Sequence, residues 1–225
     1  MSSSSFDLVA FVLSTNQSNN SNEEHTENMM QCGGTGWNCL SLNKTFLTSE
    51  TWISNLTSLL SSTFTTHHTV WTEKSTLGMH VDLIPQCLEK KGFQTSVVVP
   101  KSLKSVLDPL EFSKISVYED NNEISEKVFE FVNPAKIKTA SSSKSPRFLL
   151  LLEDTHSSQT LNLLLNKLKQ MPKLKSLVVS GSLAPITTIP SLKSADLAVP
   201  FLLYSNTAQI KGGSTDEMHS LVDLC

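Results

Sequence analysis

The chain predicts an α/β fold of three layers, with a mostly parallel central sheet between helices. Three stretches carry that expectation. Residues 147–154 read RFLLLLED, an unbroken apolar run of strand length that Pro146 precedes and two carboxylates end. Such a run, apolar at every position, marks a strand buried on both faces, which is how parallel sheets are built. Residues 157–171 follow with Leu161, Leu164, Leu165 and Leu168 at helical spacing, and Lys167 and Lys169 suit that helix's C-terminus. A second apolar run at 177–180 then completes a strand–helix–strand unit.

The other elements follow in chain order. Residues 6–13, FDLVAFVL, read as a short edge strand or an amphipathic arm, and the Asn/Ser/Glu-rich residues 14–27 as a solvated linker. WNCLSL at 37–42 is the first strand expected in the folded core. Trp52, Ile53, Leu56, Leu59 and Leu60 give residues 48–62 a helical stripe, with Thr48 or Ser49 to cap it. HTVWT at 68–72 is a strand candidate, and residues 78–91 form a helix that Pro85 kinks or delays and Gly92 ends. TSVVV at 95–99 and KISVYE at 114–119 are further strands, and residues 123–132 a helix that Pro134 terminates. Residues 195–204 make a strand that Pro200 assigns to an edge or a bulge. A last short strand is expected at 209–211, with a partly ordered tail after it.

With 225 residues, 39% hydrophobic content and a net charge of −3, the chain can bury one core and has no global basic field for nucleic acid. Residues 6–13 are too short to span a bilayer and lack the basic lead of a signal peptide, so the expected location is inside the cell, without a membrane. Cys32, Cys39, Cys87 and Cys225 form no CxxC pair and meet no histidines at zinc-finger spacing, which points to reduced, idle thiols and to no metal. Asn16, Asn19, Asn43 and Asn55 open Asn-x-Ser/Thr triplets, which matter only in a secreted protein. His67 and His68 are neighbours on one strand candidate and point to opposite faces, so they do not make a ligand pair.

Candidate site residues come from the loops at strand ends. Glu153 and Asp154 stand at the carboxyl end of the central strand, where a nucleotide-binding protein holds Mg²⁺ through water. A working phosphate loop needs glycines, a lysine and a Ser/Thr between the first strand and its helix. Residues 43–50, NKTFLTSE, contain no glycine, and Lys44-Thr45 is only a remnant of the required pair. No nucleotide cofactor is therefore expected. Residues 136–145 form a Ser-rich basic loop with Lys136, Lys138 and Lys144, and Arg147 lies just beyond; these four are the candidates for phosphate-backbone contact. His156 beside Asp154 suggests a hydrolase only weakly, because the chain has no GxSxG elbow.

The order of elements resembles the RecA-like core of the ATPase-fold (P-loop NTPase-like) proteins, and within them the Elongator complex protein 6 family. The stretches that carry the likeness are FDLVAF at 6–11, WISNL at 52–56 behind a degenerate loop, LLLLED at 149–154, and SADL at 194–197 leading to NTAQIK at 206–211. The resemblance implies an arm and linker over 1–35 and a RecA-like domain over 36–225. It further implies a non-catalytic subunit whose partners are related RecA-fold chains in a hetero-hexameric ring. That ring binds tRNA and supports wobble-uridine modification, in the cytoplasm and also in the nucleus. Lys44 and Thr45 would then sit at the Walker A position and Glu153 and Asp154 at the Walker B position. Two other readings use the same fold signals: a recombination-type RecA paralogue acting on single-stranded DNA, and a Rossmann-type nucleotide-dependent enzyme, for which no GxGxxG is present.

Overall fold

The computed structural model describes residues 6–16, 37–49, 51–62, 83–107, 114–132, 146–155, 158–184, 198–208, 210–220 and 224. The strands are β1 (Leu8–Asn16), β2 (Asn38–Phe46), β3 (Gln94–Pro100), β4 (Ile115–Tyr118), β5 (Arg147–Thr155), β6 (Ser176–Ser182), β7 (Ala198–Ser205) and β8 (Gly213–Ser220). They form one sheet in the order β4-β3-β5-β1-β6-β7-β2-β8, and β7 alone runs against its neighbours. The helices are α1 (Trp52–Ser61), α2 (Ile84–Lys90), the single turn α3 (Lys104–Leu107), α4 (Asn121–Val132) and α5 (Ser158–Lys169). No described helix is long and apolar enough to cross a membrane.

Alternation along the inner strands sends side chains into two cores. Phe11, Leu13, Val97, Val99, Leu150 and Leu152 face α1 with its Leu56, Leu59 and Leu60. Leu8, Ala10, Val12, Val98, Leu149 and Leu151 face the other way, against the apolar stripes of α4 and α5. Each of the four consecutive leucines of β5, Leu149 to Leu152, is fully buried. Burial of each stabilises the fold by roughly 1.5–3 kcal/mol.

The first strand corrects the expectation for the N-terminus. Residues 8–16 are neither an arm nor an edge strand: β1 lies in parallel between β5 and β6, in register over its length. Asp7 fixes its start, accepting from the Lys175 amide at 2.9 Å while its own amide donates to the Lys175 carbonyl at 2.8 Å. At the other end of the chain, residues 213–220 of the tail form edge strand β8, and no strand forms at the described residues 210–212. The strand candidate at 68–72 and the basic loop at 136–145 lie outside the described residues.

Strand order also corrects the phosphate-loop reading. Lys44 and Thr45 are not in a loop; they are the seventh and eighth residues of β2, beside a bulge after Leu42. Three strands, β1, β6 and β7, separate β2 from β5, so at the usual interstrand spacing the two lie about 19 Å apart. Remnants that far apart cannot close on one triphosphate. Beyond β2 the chain is held by the buried Asn55. Its Oδ1 accepts from the amides of Thr48 and Ser49 at 3.0 and 2.9 Å, and its Nδ2 donates to Leu183 O at 2.8 Å.

Gly181 in β6 is dictated by a close approach: a Cβ there would meet the Phe201 ring of β7 at 2.5 Å. Gly181→Ala is expected to destabilise the fold by roughly 1–3 kcal/mol through overpacking. Adding Phe201→Leu should recover part of that loss. Urea denaturation of the two proteins checks this, and an unchanged midpoint for the single variant would contradict it.

Candidate functional site at the carboxyl edge of the sheet

Seven of the eight strands point the same way, so one edge collects the carboxyl ends of β1, β3, β4, β5 and β6 side by side. In sheets of this kind ligands bind outside that edge. At its centre the register sets Ser14 of β1 directly beside Glu153 of β5 on one side and Ser182 of β6 on the other. Adjacent strands lie about 4.8 Å apart, so the three form one continuous row. All three continue the alternation of the α4/α5 face, following Val12, Leu151 and Ser180 by two residues. They are nearly closed to solvent, at 1%, 5% and 8% exposure for Ser14, Glu153 and Ser182.

The polar groups of this row are only partly committed. Ser14 Oγ, and Ser180 Oγ two residues before Ser182 on β6, have no hydrogen-bond partner among the described residues although both are buried. Ser182 Oγ accepts from the Ala184 amide at 3.2 Å and donates to Ala184 O over a long 3.4 Å, and the Leu183 amide donates to Ser14 O at 2.9 Å, which holds the exit of β6 against β1. Thr15, on the opposite face, turns its hydroxyl to Glu153 O at 3.3 Å. A buried hydroxyl without a partner costs about 1–3 kcal/mol, so this edge keeps hydrogen-bonding capacity that folding leaves unused.

Toward β3 and β4 the edge is exposed and charged. Tyr118, at the end of β4, donates its hydroxyl to Leu152 O at 2.9 Å. Burial, with the charges of Glu153 and Asp154 adding to it, pushes the Tyr118 phenol above its ordinary range. Asp154 is exposed and accepts a long bond from Ser102 Oγ at 3.4 Å. Lys101 and Glu119 make a surface ion pair at 2.6 Å that raises the lysine's pKa and lowers the glutamate's.

The sequence candidates are thus dispersed. Glu153 and Asp154 reach this edge, on opposite faces of β5. Lys44 is exposed on β2, and Thr45 is buried there with an unpartnered hydroxyl. Arg147 is not a surface phosphate contact: it is 9% exposed, its guanidinium donates to Phe131 O at 2.6 Å, and burial lowers its pKa. Lys136, Lys138, Lys144 and His156 lie outside the described residues. Ser14 escaped the sequence reading because residue 14 looked like the first of a linker. The signal that could have found it is the apolar run before it, which resembles that of β5 in length. Among the described residues no three His, Cys, Asp or Glu side chains gather to hold a metal ion. The row offers a carboxylate and hydroxyls and does not fit a metal centre.

No family model and no curated protein matches the sequence. Solved structures match the fold. The lipoteichoic acid synthase LtaP from Listeria monocytogenes is similar over 96% of this chain and 69% of its own, with a TM-score of 0.65 at 13% identity. A protein in the alkaline phosphatase superfamily from Vibrio parahaemolyticus matches 97% of this chain and 64% of its own, with a TM-score of 0.62 at 8% identity. The C-terminal periplasmic domain of phosphoethanolamine transferase EptC from Campylobacter jejuni matches 96% of this chain and 86% of its own, with a TM-score of 0.58 at 11% identity. The chain therefore spans just under two thirds of the Vibrio structure.

At these identities the likeness establishes the fold, and it overturns the RecA-like expectation. The mixed eight-stranded sheet matches the fold of these solved structures, one of them named as a protein in the alkaline phosphatase superfamily, and not the P-loop core or Rossmann enzyme expected from the sequence. The Elongator-type ring subunit, the recombination paralogue and the non-catalytic assignment rested on the RecA reading and fall with it.

The raised Tyr118 pKa has a pH consequence. The fold favours the neutral phenol, so its contribution is complete below the ordinary tyrosine pKa of 10.0 and is lost as pH rises above it. Chemical denaturation between pH 8 and 11 should show stability falling above about pH 10. Tyr118→Phe should flatten that fall, and identical slopes for the two proteins would count against the assignment.

Proposed function

We propose that this chain is a hydrolase or transferase domain acting on phosphate or related oxyanion esters, with its reacting centre at the row Glu153–Ser14–Ser182. The observation that carries this reading is the coincidence of two features. Across almost the whole chain the fold matches solved structures that include a protein in the alkaline phosphatase superfamily and a lipoteichoic acid synthase. At the edge where such sheets bind ligands, a buried carboxylate stands beside a buried serine hydroxyl with no partner of its own among the described residues.

The chemistry follows from the groups present. A carboxylate one strand away from a hydroxyl can accept the proton released when that hydroxyl, or a water in its place, attacks the phosphorus or sulfur of an ester, whose bond to the alcohol oxygen breaks as the alcohol leaves to solvent. The hydroxyl of Ser182, on giving up its long bond to Ala184 O, can donate to a non-bridging oxygen of the ester, in a site screened from water where such a bond counts for more. Proton acceptance, attack and oxygen stabilisation are then shared among three neighbouring strands.

Turnover of p-nitrophenyl phosphate, bis(p-nitrophenyl) phosphate and p-nitrophenyl sulfate tests this. One of the three is expected to be cleaved, with Glu153→Gln lowering kcat/KM by about a hundredfold or more. Ser14→Ala should lower it comparably, whereas the exposed Lys44→Ala should leave it unchanged. No turnover of any probe, or full rates in both row variants, would overturn the proposal.

A further inference from the structure

A cleft of about 480 Å³ opens at the opposite edge of the sheet, where β3 and β4 begin and α4 ends. Its size falls in the range of small-molecule pockets. It exists because β4 has only four residues, while α4 has twelve and runs back past the strand's start.

Two half-buried rings, Phe93 and Phe131, form its apolar walls. Phe131 is held in place, because Arg147 donates to its carbonyl at 2.6 Å. Four charged side chains line the cleft: Lys114, Lys127, Glu89 and Glu130. Two of them already have work within the fold. Lys127 donates to Val117 O and approaches Glu123 at 3.3 Å, and Glu89 accepts from the Thr95 hydroxyl. The remaining two, Lys114 and Glu130, are exposed and have no side-chain partner among the described residues. Ser96 and Ser116 also line the cleft.

We propose that this cleft binds a small amphoteric molecule with a planar ring, its carboxylate on Lys114, its ammonium on Glu130 and its ring against Phe93 and Phe131. Charge balance selects that class. Two lysines and two glutamates leave the lining neutral, so a purely anionic or cationic ligand would meet a like charge beside its partner. A zwitterion satisfies both uncommitted groups with charge-assisted bonds. The ring walls supply the apolar area that such a ligand needs for net affinity. This site is separate from the carboxyl edge and stands whether or not that edge turns over esters.

Isothermal titration of the chain with three probes at millimolar concentration tests it: L-tryptophan, tryptamine, which lacks the carboxylate, and indole-3-acetate, which lacks the ammonium. L-tryptophan is expected to bind about tenfold or more tightly than either of the others. Lys114→Met should remove its advantage over tryptamine, and Glu130→Gln its advantage over indole-3-acetate. Both side chains are exposed, so the variants should fold, and a circular dichroism spectrum verifies it. Equal binding of the three probes, no binding of L-tryptophan, or unchanged selectivity in the folded variants would overturn the proposal.

Discussion

The parallel pairing of β1 between β5 and β6 is the constraint on which the rest depends. It gives β5 the partner that lets four consecutive leucines be buried on two faces. It also joins the N-terminal strand to two strands more than 130 residues away. Such long-range parallel contacts repay their loop-closure entropy only through extensive burial. Here the repayment comes from both cores at once, since β1 alternates Leu8, Ala10 and Val12 on one face with Phe11 and Leu13 on the other.

The two ends of that three-strand unit are treated differently. At the amino edge every element is tied down: Asp7 clasps Lys175, Arg147 reaches Phe131, and Asn206 bridges the start of β6 by accepting from the Ser176 amide and donating to Leu174 O. At the carboxyl edge the same strands carry Ser14 and Ser180, whose buried hydroxyls have no partner among the described residues. Folding tolerates unpaired buried hydroxyls at a cost of about 1–3 kcal/mol each, and a site is where that cost is commonly met.

The single reversed strand shapes the site as well. Because β7 runs against β6 and β2 follows it, β2 is carried toward the far edge and contributes nothing to the central row. Gly181 and Phe201 mark how tightly β6 and β7 approach there. The site is thereby confined to strands that enter it from the same direction.

What the sequence determined by itself was local. The β5 run, the α5 stripe of Leu161, Leu164, Leu165 and Leu168, the strands of β3 and β4 and the end of α2 at Gly92 all follow from periodicity and turn chemistry, which act over a few residues. Glu153 stood out as a candidate for the same reason, since a carboxylate ending a buried strand is conspicuous. The place of each strand in the sheet was not legible, because interstrand order depends on which apolar faces pair across long separations. That is why residues 6–13 read as an arm when they are the centre, and why Lys44-Thr45 read as a phosphate-loop remnant about 19 Å from the acids it was meant to serve. Tertiary structure alone decided that Ser14, Glu153 and Ser182 share one row, because register places in contact residues that no local pattern connects.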